Sequence, residues 1–326
     1  MGIVVAGHRV DPLSLQPGVA VVVCTCDRPE SLQRFLRSLA GEGPRPAQLI
    51  IVDGSRTNVT QEWMNTTPEV RALADDVQYF HVPPRLAGLT RQRNYGLRHV
   101  STDLVAFFDD DVKLLPGCLR EMEAAHRALG AGAAGVGARV DAGERPPTAL
   151  WRVRRLLRLV STLRAGTYES SGMSIPWWFA EEGNDVLEGD FLPGGATMWK
   201  TVIACEVGFD ETFDGYALGE DLDFCLRVHG RGKLYLAPAA RVKHLRDPHG
   251  RPDPYQFGLM EIRNRYQIHR QSRPARRRFD TVWFFYAWLV DTLLLTRLLF
   301  RPGMRRFGLS RMMGRLSAFY EILLSR

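Results

Sequence analysis

The sequence predicts an α/β fold in which helices flank a mostly parallel sheet. Apolar, β-branched segments alternate with segments of helical periodicity along the first part of the chain. Strands that are separated by helices form βαβ units, which build parallel sheets with right-handed crossovers. Ligands of such sheets bind at the carboxyl ends of the strands. The predicted strands are residues 19–25, 48–53, 77–82 and 103–108.

Apolar spacing defines the first elements. Residues 19–25 form the unbroken run VAVVVCT, which indicates a buried strand. The segment LTRQRNYGLRHV at 89–100 predicts a helix that leads into the strand at 103–108. The helix after the first strand is predicted from apolar residues on one face, namely Leu32, Phe35, Leu36 and Leu39.

Composition and cysteine content place the chain in a broad class only. At 326 residues it can bury a substantial core, and 45% apolar and 24% charged residues are ordinary values for a globular protein. Its five cysteines are sparse and odd in number, which favours reduced thiols in the cytoplasm. The N-terminus has no basic leader followed by a long apolar segment, so we expect no cleaved secretion signal.

The net charge of +7 is concentrated in the C-terminal tail. Residues 263–326 hold fourteen arginines and three acidic residues, a net charge of +11, so residues 1–262 carry about −4. Long apolar segments lie beside these arginines, which favours an anionic membrane surface over nucleic acid as the partner. The alternative, a solvated charged segment, fits these apolar neighbours poorly.

Residues 279–300 are apolar enough to resemble a membrane span, but Asp280, Asp291 and Arg297 interrupt them. A charge near the bilayer centre costs on the order of 2.5 to 3.5 kcal/mol. We therefore expect a peripheral, interfacial helix pair on the inner face of the membrane. Packing of the same apolar face in a homo-oligomer is an equal alternative. The arginines expected at the headgroups are 276–278, Arg301, Arg305 and Arg306.

A basic amphipathic segment at 150–164 allows two interpretations. Its arginines lie opposite an apolar face, which predicts either a membrane contact or packing in the core. The residues of the apolar face are Leu150, Val153, Leu156, Leu157, Val160 and Leu163.

Three consecutive aspartates, Asp109, Asp110 and Asp111, directly follow the apolar strand 103–108. In an extended chain, Asp109 and Asp111 point to the same side. Two carboxylates at a strand end can hold a hard divalent cation, and Mg²⁺ or Mn²⁺ so held keeps positions free for phosphate oxygens. The alternative is an acidic turn that binds nothing.

A second acidic pair, Glu220 and Asp221, opens a segment with the apolar spacing of a helix. The backbone dipole and free N–H groups stabilise carboxylates at a helix N-terminus. Taken by itself, this pair is therefore explained as helix capping.

The order of the motifs along the chain favours a functional role for this pair over helix capping. Seven segments follow one another along residues 17–266: CTCDRPESLQRFLRSL, IIVDGS, RQRNYGL, FFDDDV, FLPGGATM, GEDLDFCLRV and RVKH. Together they resemble glycosyltransferase family 2, whose catalytic domains adopt the GT-A fold, and an ordered set is more specific than any single motif. The resemblance implies a GT-A domain at 17–262, between an extension at 1–16 and a basic amphipathic helical tail at 263–326.

The resemblance implies a donor site at the strand ends. Thr25 and Arg28 would border the nucleotide, and Asp53 would contact its base. Arg93 would support the donor pocket or the diphosphate. The alternatives are a turn-forming Asp53 and an Arg93 that is a helix surface charge. The residues implied to bind the nucleotide sugar are Thr25, Arg28, Asp53, Arg93, Asp109, Asp110 and Gly195.

The resemblance also implies a Mg²⁺ or Mn²⁺ site in which Asp111 is the principal ligand, joined by Asp109 and His244. Asp221 matches the position of the general base, which takes the proton from the acceptor hydroxyl. Glu220 is expected to take part in acceptor binding, by orienting the substrate or the backbone. A purely structural role is the alternative for His244.

Two tryptophans, Trp177 and Trp178, precede the glycine-rich segment GGATM. Their aromatic faces would let a sugar acceptor stack on them or would lie at a membrane interface. Packing in the core is the alternative.

These expectations combine into an inverting glycosyltransferase. It would move one sugar from a UDP- or dTDP-sugar to a hydroxyl of a lipid-linked, glycan or secondary-metabolite acceptor. No QxxRW-type segment follows the acidic pair, which favours a single addition. A non-catalytic sugar-nucleotide or membrane-binding module of the same fold is the alternative. A nucleotidyltransferase is disfavoured, because CDRPES follows the first strand where a glycine-rich phosphate loop is needed.

Overall fold

The computed structural model describes residues 10–141, 148–247, 250–271 and 280–324. The predicted headgroup arginines 276–278 and residues 1–9 of the predicted extension lie outside these ranges. The chain divides into two compact units. The first comprises Met1–Gly143 and Glu181–His249, and the second comprises Glu144–Ala180 and Gly250–Arg326. The domain boundaries expected at 17 and 263 stay predictions.

The first unit is built around one sheet. Its described strands are β1 Gln16–Thr25, β2 Gln48–Asp53, β3 Asp76–His81, β4 Thr102–Asp109, β5 Val112–Leu114, β6 Ala133–Asp141, β7 Leu187–Gly189, β8 Ala196–Lys200 and β9 Lys233–His244. Their order across the sheet is β3-β2-β1-β4-β8-β6-β9-β5, and β7 also pairs with β9.

The sheet is parallel on one side and mixed on the other. β1 pairs in parallel with β2 and β4, and β2 pairs in parallel with β3. β8 runs antiparallel to both β4 and β6, while β6 is parallel to β9. β5 and β7 run antiparallel to β9. Among the described strands, only β5, β7 and β8 oppose the common direction, so the predicted α/β class is confirmed.

Ten α-helices are found in the described residues. They are α1 Pro29–Ala40, α2 Val59–Thr66, α3 Leu89–Leu97, α4 Cys118–Leu129, α5 Thr148–Leu156, α6 Thr201–Val207, α7 Glu220–Val228, α8 Pro254–Gln271, α9 Asp280–Leu294 and α10 Arg305–Leu324.

Alternate residues of β1 face two different layers of helices, as expected from the two-residue period of a strand. One core joins Val19, Val21 and Val23 to residues of α1 and α4. The other joins Ala20 and Val22 to residues of α3, α6 and α7. A strand that is buried on both faces reads as an unbroken apolar run. The predicted apolar face of α1 is confirmed, with all four members buried: Leu32, Phe35, Leu36 and Leu39.

The second unit contains α5, α8, α9 and α10. Helices α8 and α10 cross closely at Gly258 and Gly314. A Cβ at either glycine would overlap a backbone carbonyl oxygen of the other helix, so no larger residue fits there without moving the helices apart. The core of this unit includes Leu259, Ile262, Phe284, Trp288 and Phe319.

The amphipathic segment predicted at 150–164 is not one helix. α5 ends at Leu156, and Arg158 adopts a φ of +57°, which a right-handed helix does not allow. Leu156 is 81% exposed whereas Val160 is buried. The expected common face is therefore wrong, because the chain turns between these two residues.

Asp280–Phe300, which comprises α9 and the short 3₁₀-helix after it, is long and apolar enough to cross a membrane. It is the one such segment among the described residues. A helix packed inside a globular protein can have the same length and composition, and 39% of this segment is buried. The segment is therefore weak evidence for a membrane span.

Candidate active site

The predicted donor residues lie where three adjacent parallel strands end. In the register of the sheet, Thr25 at the end of β1 pairs with Asp53 at the end of β2. On the other side, Cys24 pairs with Asp109 at the end of β4. Parallel strands that end at the same level bring their polar terminal residues to one edge, which is where ligands of α/β sheets bind.

The acidic triplet spans the turn between β4 and β5. Only Asp110 and Asp111 separate these strands, which is too short a connection for a parallel crossover. β5 instead pairs antiparallel with β9, and Val112 lies opposite His244. This register brings His244 beside Asp111, although the two residues are far apart in the sequence.

Asp109, Asp111 and His244 form a group that fits a divalent cation. Their potential ligand atoms all lie within 4.8 Å of one another. Nε2 of His244 lies 3.0 Å from Oδ1 of Asp111. Two carboxylates and an imidazole are suitable ligands for Mn²⁺. Mg²⁺ would bind mainly through the carboxylate oxygens. Asp109 and Asp111 therefore lie on one side, but because of the turn between β4 and β5 and not because the chain is extended there.

Asp111 is held by several neighbours. Its Oδ2 accepts a hydrogen bond of 3.0 Å from the backbone N–H of Asp247, and Arg28 lies 3.9 Å away. Burial acts to raise the pKa of Asp111, but the hydrogen bond from His244 and the charges of His244 and Arg28 lower it further than burial raises it. The net pKa is below the ordinary value, so Asp111 is ionised at neutral pH, as a cation ligand must be.

Asp110 has a different environment from its two neighbours. It is fully buried, its Oδ2 accepts a hydrogen bond of 2.7 Å from Thr25, and its Oδ1 lies 2.8 Å from Arg28. Burial raises the pKa of Asp110 to about 7, and the charge of Arg28 opposes that rise. The structure therefore brings the predicted donor residues Thr25, Arg28 and Asp110 together. The carboxylate of Asp110 contacts the other two residues.

Asp53 is also enclosed. Its Oδ1 accepts a hydrogen bond of 2.8 Å from the backbone N–H of Ser55, and its Oδ2 accepts one of 2.7 Å from the hydroxyl of Tyr79. Burial and the carboxylate of Asp53 raise the pKa of Tyr79, so its hydroxyl stays protonated and donates. Asp53 lies at the predicted place beside Thr25, and its proposed contact with a base stays a prediction.

Arg93 joins the two acidic motifs. It lies on α3 and is buried, with Nη1 2.6 Å from Oε1 of Glu220 and Nη2 2.9 Å from Oδ1 of Asp109. Its guanidinium group lies over the ring of Phe209, 5.2 Å from the centroid. Burial raises the pKa of Glu220, and the charge of Arg93 opposes that rise. Glu220 is therefore turned inward, toward Arg93.

Asp221 is half-buried at the N-terminus of α7, where its Oδ1 accepts a hydrogen bond from the N–H of Leu222. A Cβ on Gly194 would overlap Oδ2 of Asp221. A Cβ on Gly195 would lie 2.7 Å from Oδ2 of Asp109. The two glycines therefore let the backbone pass directly against one carboxylate of each acidic motif, which no other residue would allow without a shift.

Sequence reasoning missed Gln92. Its side-chain amide donates hydrogen bonds to the backbone carbonyls of Thr25, at 2.9 Å, and Val52, at 2.8 Å. It therefore ties the ends of β1 and β2 together beneath the site. Its place next to Arg93 in RQRN was the available signal, since both residues lie on one short helix.

Trp177 and Trp178 belong to the second unit, whereas the carboxylates belong to the first. Both lie in a short 3₁₀-helix, Trp177–Phe179, and both are half-buried. Trp178 packs against the core of the second unit. A Cβ on Gly166 would overlap the ring of Trp177, so this glycine makes room for the indole. Core packing thus accounts for part of the Trp178 side chain, Trp177 lies against Gly166, and acceptor binding stays a prediction.

Residues 20–180 match the model of glycosyl transferase family 2. The chain belongs to this family. No curated protein sequence matches it.

Two solved structures share the fold of this family 2 chain. One is a crystal structure of GalNAc-T7 with UDP, GalNAc and Mn²⁺, with a TM-score of 0.58 and 13% identity, covering 93% of this chain and 57% of that one. The other is the mannosyltransferase PcManGT from Pyrobaculum calidifontis in complex with GDP-Man and Mn²⁺. Its TM-score is 0.59 at 14% identity, over 98% of this chain and 91% of that one. The present chain thus spans little more than half of GalNAc-T7. The predicted GT-A fold is confirmed, and family and fold together support a glycosyltransferase activity.

Proposed function

We propose that this family 2 chain is an inverting, metal-dependent glycosyltransferase. It moves a single sugar from a nucleoside-diphosphate sugar, with UDP or dTDP favoured, to a hydroxyl of a lipid-linked, glycan or secondary-metabolite acceptor. One observation carries the proposal. Gly194 and Gly195 press against Asp221 and Asp109, so the candidate base and a candidate cation ligand flank one short stretch of backbone.

The cation would be held by Asp109, Asp111 and His244. When bound, Mg²⁺ or Mn²⁺ supplies positive charge that stabilises the diphosphate leaving group. The protein fixes the ligands through neighbours on other elements, since Arg93 holds Asp109 and the backbone of Asp247 holds Asp111. The ligands therefore need little rearrangement to bind the ion.

Asp221 is the proposed general base. It takes the proton of the acceptor hydroxyl as that oxygen bonds to the anomeric carbon, while the bond from this carbon to the diphosphate oxygen breaks on the opposite face. The configuration at the anomeric carbon is thereby inverted. Asp221 is half-buried at the start of α7, which leaves part of its side chain accessible to an acceptor.

Glu220 has a different proposed role. Its Oε1 is engaged by Arg93 at 2.6 Å and the residue is buried, so we assign it to holding Arg93 and the backbone beside Asp221. Of the two roles expected for Glu220, orienting the substrate or the backbone, this assignment takes the second. Contact of Glu220 with the acceptor itself would require that ion pair to open.

The nucleotide is proposed to lie over the ends of β1 and β2. Arg28 has a partly exposed side chain there, between Asp110 and Asp111, and can turn toward a phosphate or ribose oxygen. Thr25 and Asp53 form the floor beneath it. Asp110 fixes Thr25 and Arg28 in this arrangement, which is the part that we assign to it in the donor site.

The first test is the release of nucleoside diphosphate from a panel of nucleotide sugars, with and without candidate acceptors. The wild type is compared with Asp111→Asn, Asp221→Asn and the matched control Asp75→Asn, which changes an exposed carboxylate of the same unit. We expect a chelator and Asp111→Asn to abolish release, and Asp221→Asn to abolish only its stimulation by acceptor. Asp75→Asn should behave as wild type.

The same experiment separates the alternative function. A chain that binds a nucleotide sugar but releases no nucleoside diphosphate with any metal or acceptor would be a non-catalytic binding module. Equal activity of Asp221→Asn and the wild type on every acceptor would remove Asp221 from the mechanism.

The cytoplasmic, peripheral location on the inner face of a membrane is part of the proposal. A lipid-linked acceptor would be met there. Such a location requires a surface on this chain that binds lipid.

A further inference from the structure

Helix α9 is apolar on both faces, because Phe284 and Trp288 pack in the core while other apolar side chains are exposed. Asp280 and Asp291 are buried, while a stripe of apolar side chains is exposed along the opposite face. Residues spaced three and four apart lie on one side of a helix, so these side chains form a continuous surface. The α9 stripe consists of Val282, Tyr286, Leu289 and Leu293.

Helix α10 also has apolar side chains on both faces, and Phe319 and Ile322 are among those in the core. It buries Arg315, which is only 1% exposed, and exposes a second apolar stripe along its length. A globular helix ordinarily turns its apolar side to the core and its charges to water. The α10 stripe consists of Leu309, Met313, Leu316, Tyr320 and Leu323.

The buried charges of these helices are paired inside the second unit. Arg315 lies 2.8 Å from Glu261 of α8 and 3.1 Å from Asp291 of α9. Arg154 of α5 lies 2.7 Å from the other oxygen of Asp291. Because a buried ion must be paired to be tolerated, this network lets the helices keep charge in the interior while their outer faces stay apolar.

The exposed charges at one end of the stripes are all positive. Arg297, Arg301, Arg305 and Arg306 are exposed between the end of α9 and the first turn of α10. The sequence contains no acidic residue between Asp291 and Glu321. A surface of apolar stripes that ends in a cluster of arginines matches a lipid bilayer with anionic headgroups.

We propose that the α9 and α10 stripes, with these four arginines, form a docking surface for an anionic membrane, on which both helices lie flat. A second copy of the chain fits less well, because residues 292–320 contain no aspartate or glutamate that could pair with the arginines of the other copy. A span by α9 is disfavoured, because Asp291 would leave its two arginine partners and enter the hydrocarbon. The inference deepens the proposed membrane location and rests on that part of the proposed function, but not on the transfer chemistry.

The test is co-sedimentation of the full chain with vesicles of phosphatidylcholine alone or mixed with phosphatidylglycerol. One variant, Leu289→Glu with Met313→Glu, places one charge on each stripe, at positions that are 47% and 60% exposed. The matched control, Leu13→Glu with Val59→Glu, makes the same charge change at exposed apolar positions of the first unit, 93% and 52% exposed. A third variant replaces Arg301, Arg305 and Arg306 with Gln.

The wild type and the control should bind the anionic vesicles at low salt and bind phosphatidylcholine weakly. The stripe variant should lose about tenfold or more in affinity. The triple arginine variant, which leaves the packing of the helices unchanged, should lose on the order of 100-fold on anionic vesicles only. Thermal unfolding of each variant checks that it is folded.

Several results would overturn the proposal. The first is that the wild type does not bind anionic vesicles at low salt. The second is that the stripe variant and its control lose equal affinity. The third is that the wild type is a dimer, the stripe variant is a monomer, and neither binds vesicles. Donor turnover is measured on the same preparations. A chain that turns over donor but ignores vesicles refutes the surface alone, and one that binds vesicles but turns over no donor refutes the chemistry alone.

Discussion

Nη1 of Arg93 lies 2.6 Å from Oε1 of Glu220, and Nη2 of the same guanidinium group lies 2.9 Å from Oδ1 of Asp109. One buried cation therefore holds the residue that ends β4 and the residue that opens α7. The planar fork of arginine can contact two carboxylates at once, which the single ammonium of lysine cannot do in the same geometry.

We expect Arg93→Lys to lower donor turnover by about tenfold or more and to lower the melting temperature, because one of the two carboxylates loses its partner in a buried place. Steady-state kinetics and thermal unfolding measure both effects. Arg91→Lys is the control, since Arg91 lies on the same helix but pairs with the exposed Asp214. Wild-type turnover and stability in Arg93→Lys would show that the double contact has no role.

Part of this site could be predicted from the sequence, because it depends on local pattern. Apolar segments followed by polar residues located the ends of β1, β2 and β4, and parallel pairing then placed Thr25, Asp53 and Asp109 at one edge. The environment of each carboxylate could not be predicted. Asp53 is enclosed by Tyr79 of a neighbouring strand, and local spacing does not encode that contact.

Gly194→Ala should lower turnover on the order of 100-fold and leave the affinity for the donor nucleotide close to that of the wild type. The new Cβ overlaps Oδ2 of Asp221, and moving a reacting group by about 1 Å costs roughly that much in rate. Turnover and nucleotide affinity are measured separately, by kinetics and by calorimetry.

The control for this change is Gly183→Ala, since a Cβ there meets nothing within 4 Å. It should be nearly neutral in both assays. If Gly194→Ala kept full turnover, the contact with Asp221 would not position the base.

His244→Ala should weaken Mn²⁺ binding by about tenfold or more, because the imidazole supplies one of the three candidate ligands. Titration of free Mn²⁺ by electron paramagnetic resonance measures this without any substrate. His229→Ala, which removes an exposed histidine of the same unit, should leave the affinity unchanged. An unchanged affinity in His244→Ala would limit this residue to positioning Asp111.

His126 predicts a pH dependence of stability. Burial lowers the pKa of this histidine from 6.5 to about 4, and the charge of Lys200 lowers it further. Between these values the unfolded chain binds the proton more readily than the folded chain. The contribution of neutral His126 to the free energy of unfolding is therefore fully present above pH 6.5 and is lost as the pH falls toward 4.

At pH 5 the loss from this one group is about 2 kcal/mol relative to pH 7. His126→Gln does not titrate, so its free energy of unfolding should fall less than that of the wild type by about this amount when both are unfolded by urea at the two values. His229→Gln should keep the wild-type dependence. Parallel curves for the wild type and His126→Gln would assign the pH dependence to other groups.

The second unit shows where sequence patterns fail. Its basic tail was expected to meet an anionic surface, yet Arg315 of α10 is buried while Met313 of the same helix is exposed. Periodicity tells which residues share a face of a helix, but only tertiary packing decides which face is buried. The same reason makes the predicted common face of Leu156 and Val160 wrong, because the left-handed Arg158 lies between them.

Arg315→Leu should destabilise the chain by about 1 to 3 kcal/mol, because Asp291 and Glu261 lose their shared partner and keep only Arg154 and Arg311, respectively. Urea unfolding measures the change. The control is Arg263→Leu, which breaks an ion pair between half-exposed Arg263 and Glu321 in the same unit and should cost about 0 to 1 kcal/mol. Equal effects of the two changes would mean that Arg315 is as solvated as Arg263. In that case the ion pairs of Arg315 would not form an interior network.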